Sequence, residues 1–280
     1  MKLYISADIE GCTGIVSFSQ CGRASGACYD YPFARRMMTE DLNAVVRGAR
    51  SAGVDRVVVK DGHGNCKNLL IDELEPGVEL ITGCGPATDG MMDGIGPGFD
   101  AAMLIGYHGM AGAQGALMEH ALVGGLHRLW VNGRPAGEIY VNSAVAGEFG
   151  VPTVMVSSDR AGCEEAQRDI PGVVACSTKD AFGKYMGEVE TPSATRTRLE
   201  ASAREAIQRA RTIEPVTVPS PTCMRIAFRT TEEADMAERV PGISRADGYG
   251  LEWTSHSFLE AHRLAVVVFQ MSIQGRKSEA

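Results

Sequence analysis

Apolar residues in the first half of the chain gather into short runs, separated by stretches of helical periodicity. Residues 2–8 (KLYISAD), 55–61 (DRVVVKD), 78–83 (VELITG), 101–107 (AAMLIGY) and 151–158 (VPTVMVSS) have strand length and are bounded by turn-forming residues. Residues 33–53 carry apolar side chains at helical spacing and stop at Gly53, and residues 141–150 form a shorter helical stretch closed by Gly150. Short apolar strands alternating with helices predict an α/β fold with a mostly parallel sheet and helices on both faces. Within it, VNGRP (131–135) is an Asn-Gly turn that predicts a hairpin in residues 121–138.

The pattern changes toward the C-terminus. Residues 192–211 predict a long polar helix with Ala, Leu and Ile on one side, and EPVTVPSP (214–221) reads as a Pro-rich linker. Beyond it come a strand (224–230), a helix (232–240), a strand (250–255) and a helix (258–272), a small C-terminal α+β subdomain of βαβα order. The expected domains are therefore a larger α/β unit over 1–213 and a small unit over 214–280. No internal repeat or low-complexity tract interrupts them.

Length and composition narrow the function. The 280 residues allow a sizeable core, and 44% hydrophobic with 22% charged residues is ordinary for a globular protein. A formal net charge of -8 argues against a nucleic-acid or anionic-membrane surface, which requires clustered Lys and Arg. No apolar run approaches the roughly 18 residues of a membrane span. The opening MKLYISAD meets an acid too early for a signal peptide, so the protein is expected to be cytoplasmic. Its eight cysteines form no CxxC pair and are expected to be reduced, mostly as small buried residues; Cys12 and Cys66 lie near the motifs below.

Candidate chemistry collects where strands end. In open α/β sheets ligands bind beyond the carboxyl ends of the strands. The first strand delivers Asp8 and Glu10, two residues apart and therefore about 7 Å apart on one face if the chain stays extended. The second delivers Asp61 and His63 in KDGHGN, and the fourth delivers His108 in IGYHGM. Asp159, after the fifth strand, reads as a helix N-cap. Asp8, Glu10, His63 and His108 together offer imidazole plus carboxylate, the donor set of zinc or a related transition metal. So many donors exceed the needs of one catalytic ion, and a two-metal site with a bridging carboxylate is the simplest reading.

Five motifs in order, SADIEG, KDGHGN, IGYHGM, GALMEH and VNGRPAGE, resemble those of the zinc D-aminopeptidase family through roughly residues 1–160, with weaker agreement to the end. The resemblance implies metal ligands at Asp8, Glu10, His63, His108 and Glu138, two zinc ions per subunit, and a catalytic residue at His120. It implies hydrolysis of the N-terminal residue of short peptides, with D-amino acids preferred, by a homo-oligomeric ring such as the family's decamer of stacked pentamers. Asp8 is expected to bridge the ions and His120 to act as base, acid or nucleophile. Asp61 is a candidate to orient His63, and Asn142, one helical turn after Glu138, a candidate to contact substrate. Two features depart from the family pattern: the Cys-rich segment 19–32, and His127, which competes with His120 for the catalytic role. Rival readings are a metal amidohydrolase acting on a cyclic or non-peptide amide, and a metal-stabilised ring scaffold without turnover. Nucleotide binding is weaker, because the acids before GCTG would repel phosphate and no GxGxxG follows the first strand.

Overall fold

The structure, a computed structural model, describes residues 1–22, 30–85, 89–122 and 124–275. Its main sheet has seven strands in the order β3-β2-β1-β4-β7-β8-β9. These are β1 (Lys2–Ala7), β2 (Arg56–Asp61), β3 (Val78–Ile81), β4 (Ala101–Ile105), β7 (Thr153–Asp159), β8 (Val174–Gly183) and β9 (Met186–Val189). Neighbouring strands are parallel except the β8–β9 pair. Leu3 to Ala7 are all buried, because β1 lies mid-sheet with both faces covered, which is why it reads as continuous rather than alternating.

Helices flank this sheet. α1 (Tyr31–Ser51) packs against α4 (Pro192–Arg209), so closely that a β-carbon at Gly48 would stand 2.1 Å from the Glu200 carbonyl oxygen. α2 (Glu138–Glu148) packs against α3 (Arg160–Asp169) and α6 (Phe258–Gly275). Asp159 caps α3 by accepting from the Gly162 N–H at 2.9 Å.

A second, five-stranded sheet has the order β11-β12-β10-β5-β6. It joins the hairpin β5 (Leu126–Val131) and β6 (Arg134–Pro135) to β10 (Thr222–Phe228), β11 (Ser244–Arg245) and β12 (Gly250–Ser255), with α5 (Thr231–Ala237) and α6 packed against it. The hairpin turns at Asn132 and Gly133, both at positive φ, as the Asn-Gly pair predicts. Because β5 pairs with β10 from Leu126 to Val131, this sheet takes strands from both sides of the compositional boundary at residue 213.

The sequence pattern gave no strands over residues 174–189, where β8 and β9 lie. β8 (VACSTKDAFG) buries Thr178 and Lys179 among its apolar positions, which breaks strand periodicity. α2 begins at Glu138, three residues before the expected start. Part of the Cys-rich segment, residues 23–29, lies outside the described residues. The seven described cysteines are free thiols. Among the described residues no helix is long and apolar enough to cross a membrane.

Candidate metal centre

The chain runs from β1 outward through β2 to β3, then returns to β4 and continues to the opposite edge. The reversal lies between β1 and β4, and there the open sheet forms a crevice at its carboxyl edge. Asp8 and Glu10 leave β1 into it, His63 follows β2 and His108 follows β4.

Glycine brings these loops together. Gly11 donates its N–H to the Gly106 carbonyl at 2.7 Å. A β-carbon on Gly11 would lie 1.7 Å from the Tyr107 carbonyl oxygen, and one on Gly106 would lie 2.2 Å from that of Asp8. Gly106 also has φ +76°, a conformation open to glycine. The clash in Gly11→Ala is with backbone, so we expect it to cost at least the ~1–3 kcal/mol of ordinary overpacking. An unchanged urea midpoint in that variant would show that the loops need no such approach.

Glu138 arrives differently, as the first residue of α2, where the helix N-terminus favours a carboxylate. Its Oε1 accepts from the Leu122 N–H at 2.5 Å. Gly137 must lack a side chain, since a β-carbon there would meet Glu165 Oε1 at 2.4 Å and Met110 Cβ at 2.5 Å. His120 is carried beside His108 by a parallel bridge between Met110 and His120, and the two imidazoles stack with centroids 4.0 Å apart. Met118 and Leu122, on either side, have φ of +52° and +54°, an uncommon conformation for side-chain-bearing residues that recurs at functional sites.

The structure thus brings Asp8, Glu10, His63, His108, His120 and Glu138 together. Asp8, Glu10 and Glu138 are no more than 3% exposed. The two Asp8 oxygens face different imidazoles: Oδ1 is 3.1 Å from His63 Nδ1 and Oδ2 is 3.7 Å from His108 Nε2. Glu10 Oε2 lies 3.0 Å from His63 Nδ1 and Oε1 lies 3.9 Å from His120 Nε2, while Glu138 Oε1 is 3.3 Å from His108 Nε2. Two donor groups share His108, each with its donor atoms within 4.8 Å of one another: Asp8, Glu10 and His108, and His108, His120 and Glu138.

Each imidazole turns its other nitrogen to a backbone carbonyl: His63 Nε2 to Cys21 at 3.1 Å, His108 Nδ1 to Gly109 at 3.0 Å and His120 Nδ1 to Met118 at 2.9 Å. A carbonyl only accepts, so in the neutral ring that nitrogen carries the hydrogen and a lone pair faces the carboxylates. Lone pairs aimed at buried carboxylates repel unless a cation stands between them. His108 Nε2 and Glu10 Oε2 are in fact buried without a hydrogen-bond partner among the described residues. The donor set therefore fits a transition-metal centre.

The buried acids favour positive charge at this centre. Burial together with the Glu10 charge pushes the Asp8 carboxyl up to about 7. Burial opposes charge on the His63 and His108 imidazoles, yet Glu10 and Glu138, respectively, with Asp8 beside both, hold them well above the ordinary range. Burial and the adjacent His108 lower the pKa of His120.

Other sequence candidates stand elsewhere. Asp61 does not touch the His63 ring. It accepts from the Asn68 and Leu69 N–H groups at 2.6 and 2.9 Å and from the Asn68 amide at 2.7 Å, closing the loop that carries His63. Asn142 is fully buried and donates to the Tyr107 hydroxyl at 2.9 Å. His127 is exposed on β5, and it is absent from the residues lining the cleft described below. Cys12 lies just under the site, its thiol 3.2 Å from the Asp8 carbonyl oxygen, and Cys66 lies 3.5 Å from Cys84, sulfur to sulfur.

Lys179 gave no signal in the sequence. Its ammonium is buried and donates to the carbonyls of Glu10, of Cys12 at 2.8 Å and of Ile15 at 2.5 Å, fixing the loop that presents Glu10. Lys179→Met keeps the length of the side chain and strands the Glu10 and Ile15 carbonyls, while that of Cys12 still accepts from the Ile15 N–H at 3.3 Å. At ~1–3 kcal/mol for each buried group left unsatisfied, we expect a loss of at least about 2 kcal/mol in urea unfolding and weaker zinc retention. Wild-type stability in that variant would mean the loop holds itself.

Two recesses open onto the centre. An outer cleft of about 500 Å³ is lined by Glu10, His63 and His120 together with Phe18, Tyr185 and Arg229. An inner recess of about 200 Å³ is lined by Asp8, His63, His120 and Glu138 with Met91 and Leu122.

Comparison with known proteins gives the same picture over the whole length. The family model of D-aminopeptidases matches residues 1–267. The chain is 29% identical over 277 residues to a D-aminopeptidase of Bacillus subtilis (strain 168), covering 98% of both chains. Its structure superposes on that of the zinc-dependent D-aminopeptidase DppA from Bacillus subtilis, a self-compartmentalizing protease, with a TM-score of 0.93, 29% identity and 98% of each chain covered. A family match spanning nearly the whole chain, joined to a buried centre of carboxylates and imidazoles, makes this protein a member of the D-aminopeptidase family.

Proposed function

We propose that the protein is a binuclear zinc aminopeptidase that removes the N-terminal residue of short D-amino-acid peptides. The observation that carries this reading is the set of three imidazoles, each tied to a backbone carbonyl on one side and facing buried carboxylates on the other. Asp8, Glu10 and His63 would hold one ion, and Asp8, His108 and Glu138 the other. The divided contacts of Asp8 Oδ1 and Oδ2 support its role as the bridge. When bound, the ions supply Lewis acidity toward the scissile carbonyl and make water a nucleophile at neutral pH.

The chain's own residues supply the rest. His120 Nε2, its lone pair directed into the centre, takes up the proton released as water attacks the carbonyl and passes it to the leaving amine. Phe18 holds the His120 ring edge-to-face at 5.2 Å. The inner recess, walled by Met91 and Leu122, has room for a small apolar side chain such as that of alanine.

We further read the protein as cytoplasmic, which its free thiols support, and as a homo-oligomeric ring. Phe182 and Met186, about two-thirds exposed at the β8–β9 tip, offer an apolar contact between copies.

Turnover of matched D-alanyl and L-alanyl dipeptides by the zinc-loaded protein tests the activity. Cleavage of the D-alanyl dipeptide well above its L counterpart is expected. Cleavage of neither, with turnover of a cyclic amide, would move the protein to a different amidohydrolase class.

A further inference from the structure

Arg229 is the one Arg or Lys among the described residues lining the outer cleft. It follows β10, so it reaches the centre from the second sheet, while the candidate metal-binding residues come from the first 138 residues. Its backbone is fixed: its N–H donates to the Gly125 carbonyl at 2.9 Å, Phe228 before it is buried, and Thr230 after it closes a capping box with Glu233. The guanidinium is exposed and has no ion-pair or hydrogen-bond partner among the described residues. Neighbouring Lys184, by contrast, is neutralised by Glu119 at 2.6 Å.

A guanidinium without an ion-pair partner, on a fixed backbone and lining the same cleft as the candidate metal-binding residues, is suited to a planar anion bound in bidentate fashion. We infer that Arg229 binds the C-terminal carboxylate of the substrate, selecting di- and tripeptides with a free C-terminus. This rests on the aminopeptidase reading above. A cleft of about 500 Å³ has the volume to hold a short peptide. A short peptide with its amino terminus beside buried Glu10 turns its other end toward exposed Arg229. Charge orders the two ends, since the cleft's carboxylate, Glu10, is buried and its guanidinium, Arg229, is exposed.

The test compares kcat/KM for D-alanyl-D-alanine and its C-terminal amide, using zinc-loaded protein. A hydrogen-bonded charge pair of this kind is worth about 10–100-fold, and the wild type is expected to prefer the free acid by that factor, chiefly through KM. In Arg229→Gln the acid-to-amide ratio should fall to about one with zinc content retained, and Arg229→Lys should keep part of the preference. Equal use of acid and amide by the wild type would overturn the assignment, as would an Arg229→Gln variant that lowers both substrates by the same factor. If the wild type cleaves neither, the aminopeptidase reading itself fails, and this inference with it.

Discussion

Asp8→Ala is expected to purify with neither zinc ion bound. The carboxylate leaves the middle of the sheet on a short tether from β1, and its two oxygens face His63 and His108 on either side. In the proposed binuclear arrangement, removing it would take one donor from each ion and leave Glu10 and Glu138 as separate buried charges. Under the proposed assignment, in which Glu10 pairs with His63, Glu10→Ala should retain the ion assigned to His108 and Glu138. Metal content by atomic emission measures both variants. Full zinc in folded Asp8→Ala protein would deny Asp8 the bridging role.

His120→Ala should separate proton transfer from metal binding. The variant is expected to fold and to keep its zinc while kcat falls by about 10²–10⁴-fold, the usual contribution of general acid–base catalysis, with KM little changed. His108, His120 and Glu138 bring donor atoms within 4.8 Å of one another, so zinc content is the deciding readout. Loss of an ion in His120→Ala would make His120 a ligand. His127→Ala, altering an exposed side chain on β5, should change turnover little.

Much of this architecture was legible in the sequence because the parallel strands are buried on both faces and appear as short apolar runs. β1, β2, β4 and β7 were found within two residues of their ends. β8 was not, since a strand that buries Thr178 and Lys179 for the sake of a loop 167 residues away in the chain carries no local period. Likewise Asp8, Glu10, His63 and His108 were readable because each lies within three residues of the end of a main-sheet strand. Glu138 and His120 do not. Glu138 opens a helix and His120 hangs on a loop bridged to Met110, so only the family motifs pointed to them.

Contacts made by backbone carbonyls were beyond reach of the sequence. Asp61 stood beside His63 in sequence and was the natural candidate to orient it, yet the carbonyl of Cys21 takes that role and Asp61 ties down the loop. Arg229 was hidden for a related reason. The hairpin 126–135 pairs with β10, from Val131 with Met224 to Leu126 with Phe228, and this pairing delivers Arg229 to the cleft.

The most direct test of the binuclear assignment is a zinc titration of chelator-stripped protein, following D-alanyl dipeptide turnover and bound metal in the same samples. The stripped protein should be inactive, and activity should reach its plateau at two zinc ions per chain. A plateau at one ion, or turnover persisting in fully stripped protein, would contradict the account.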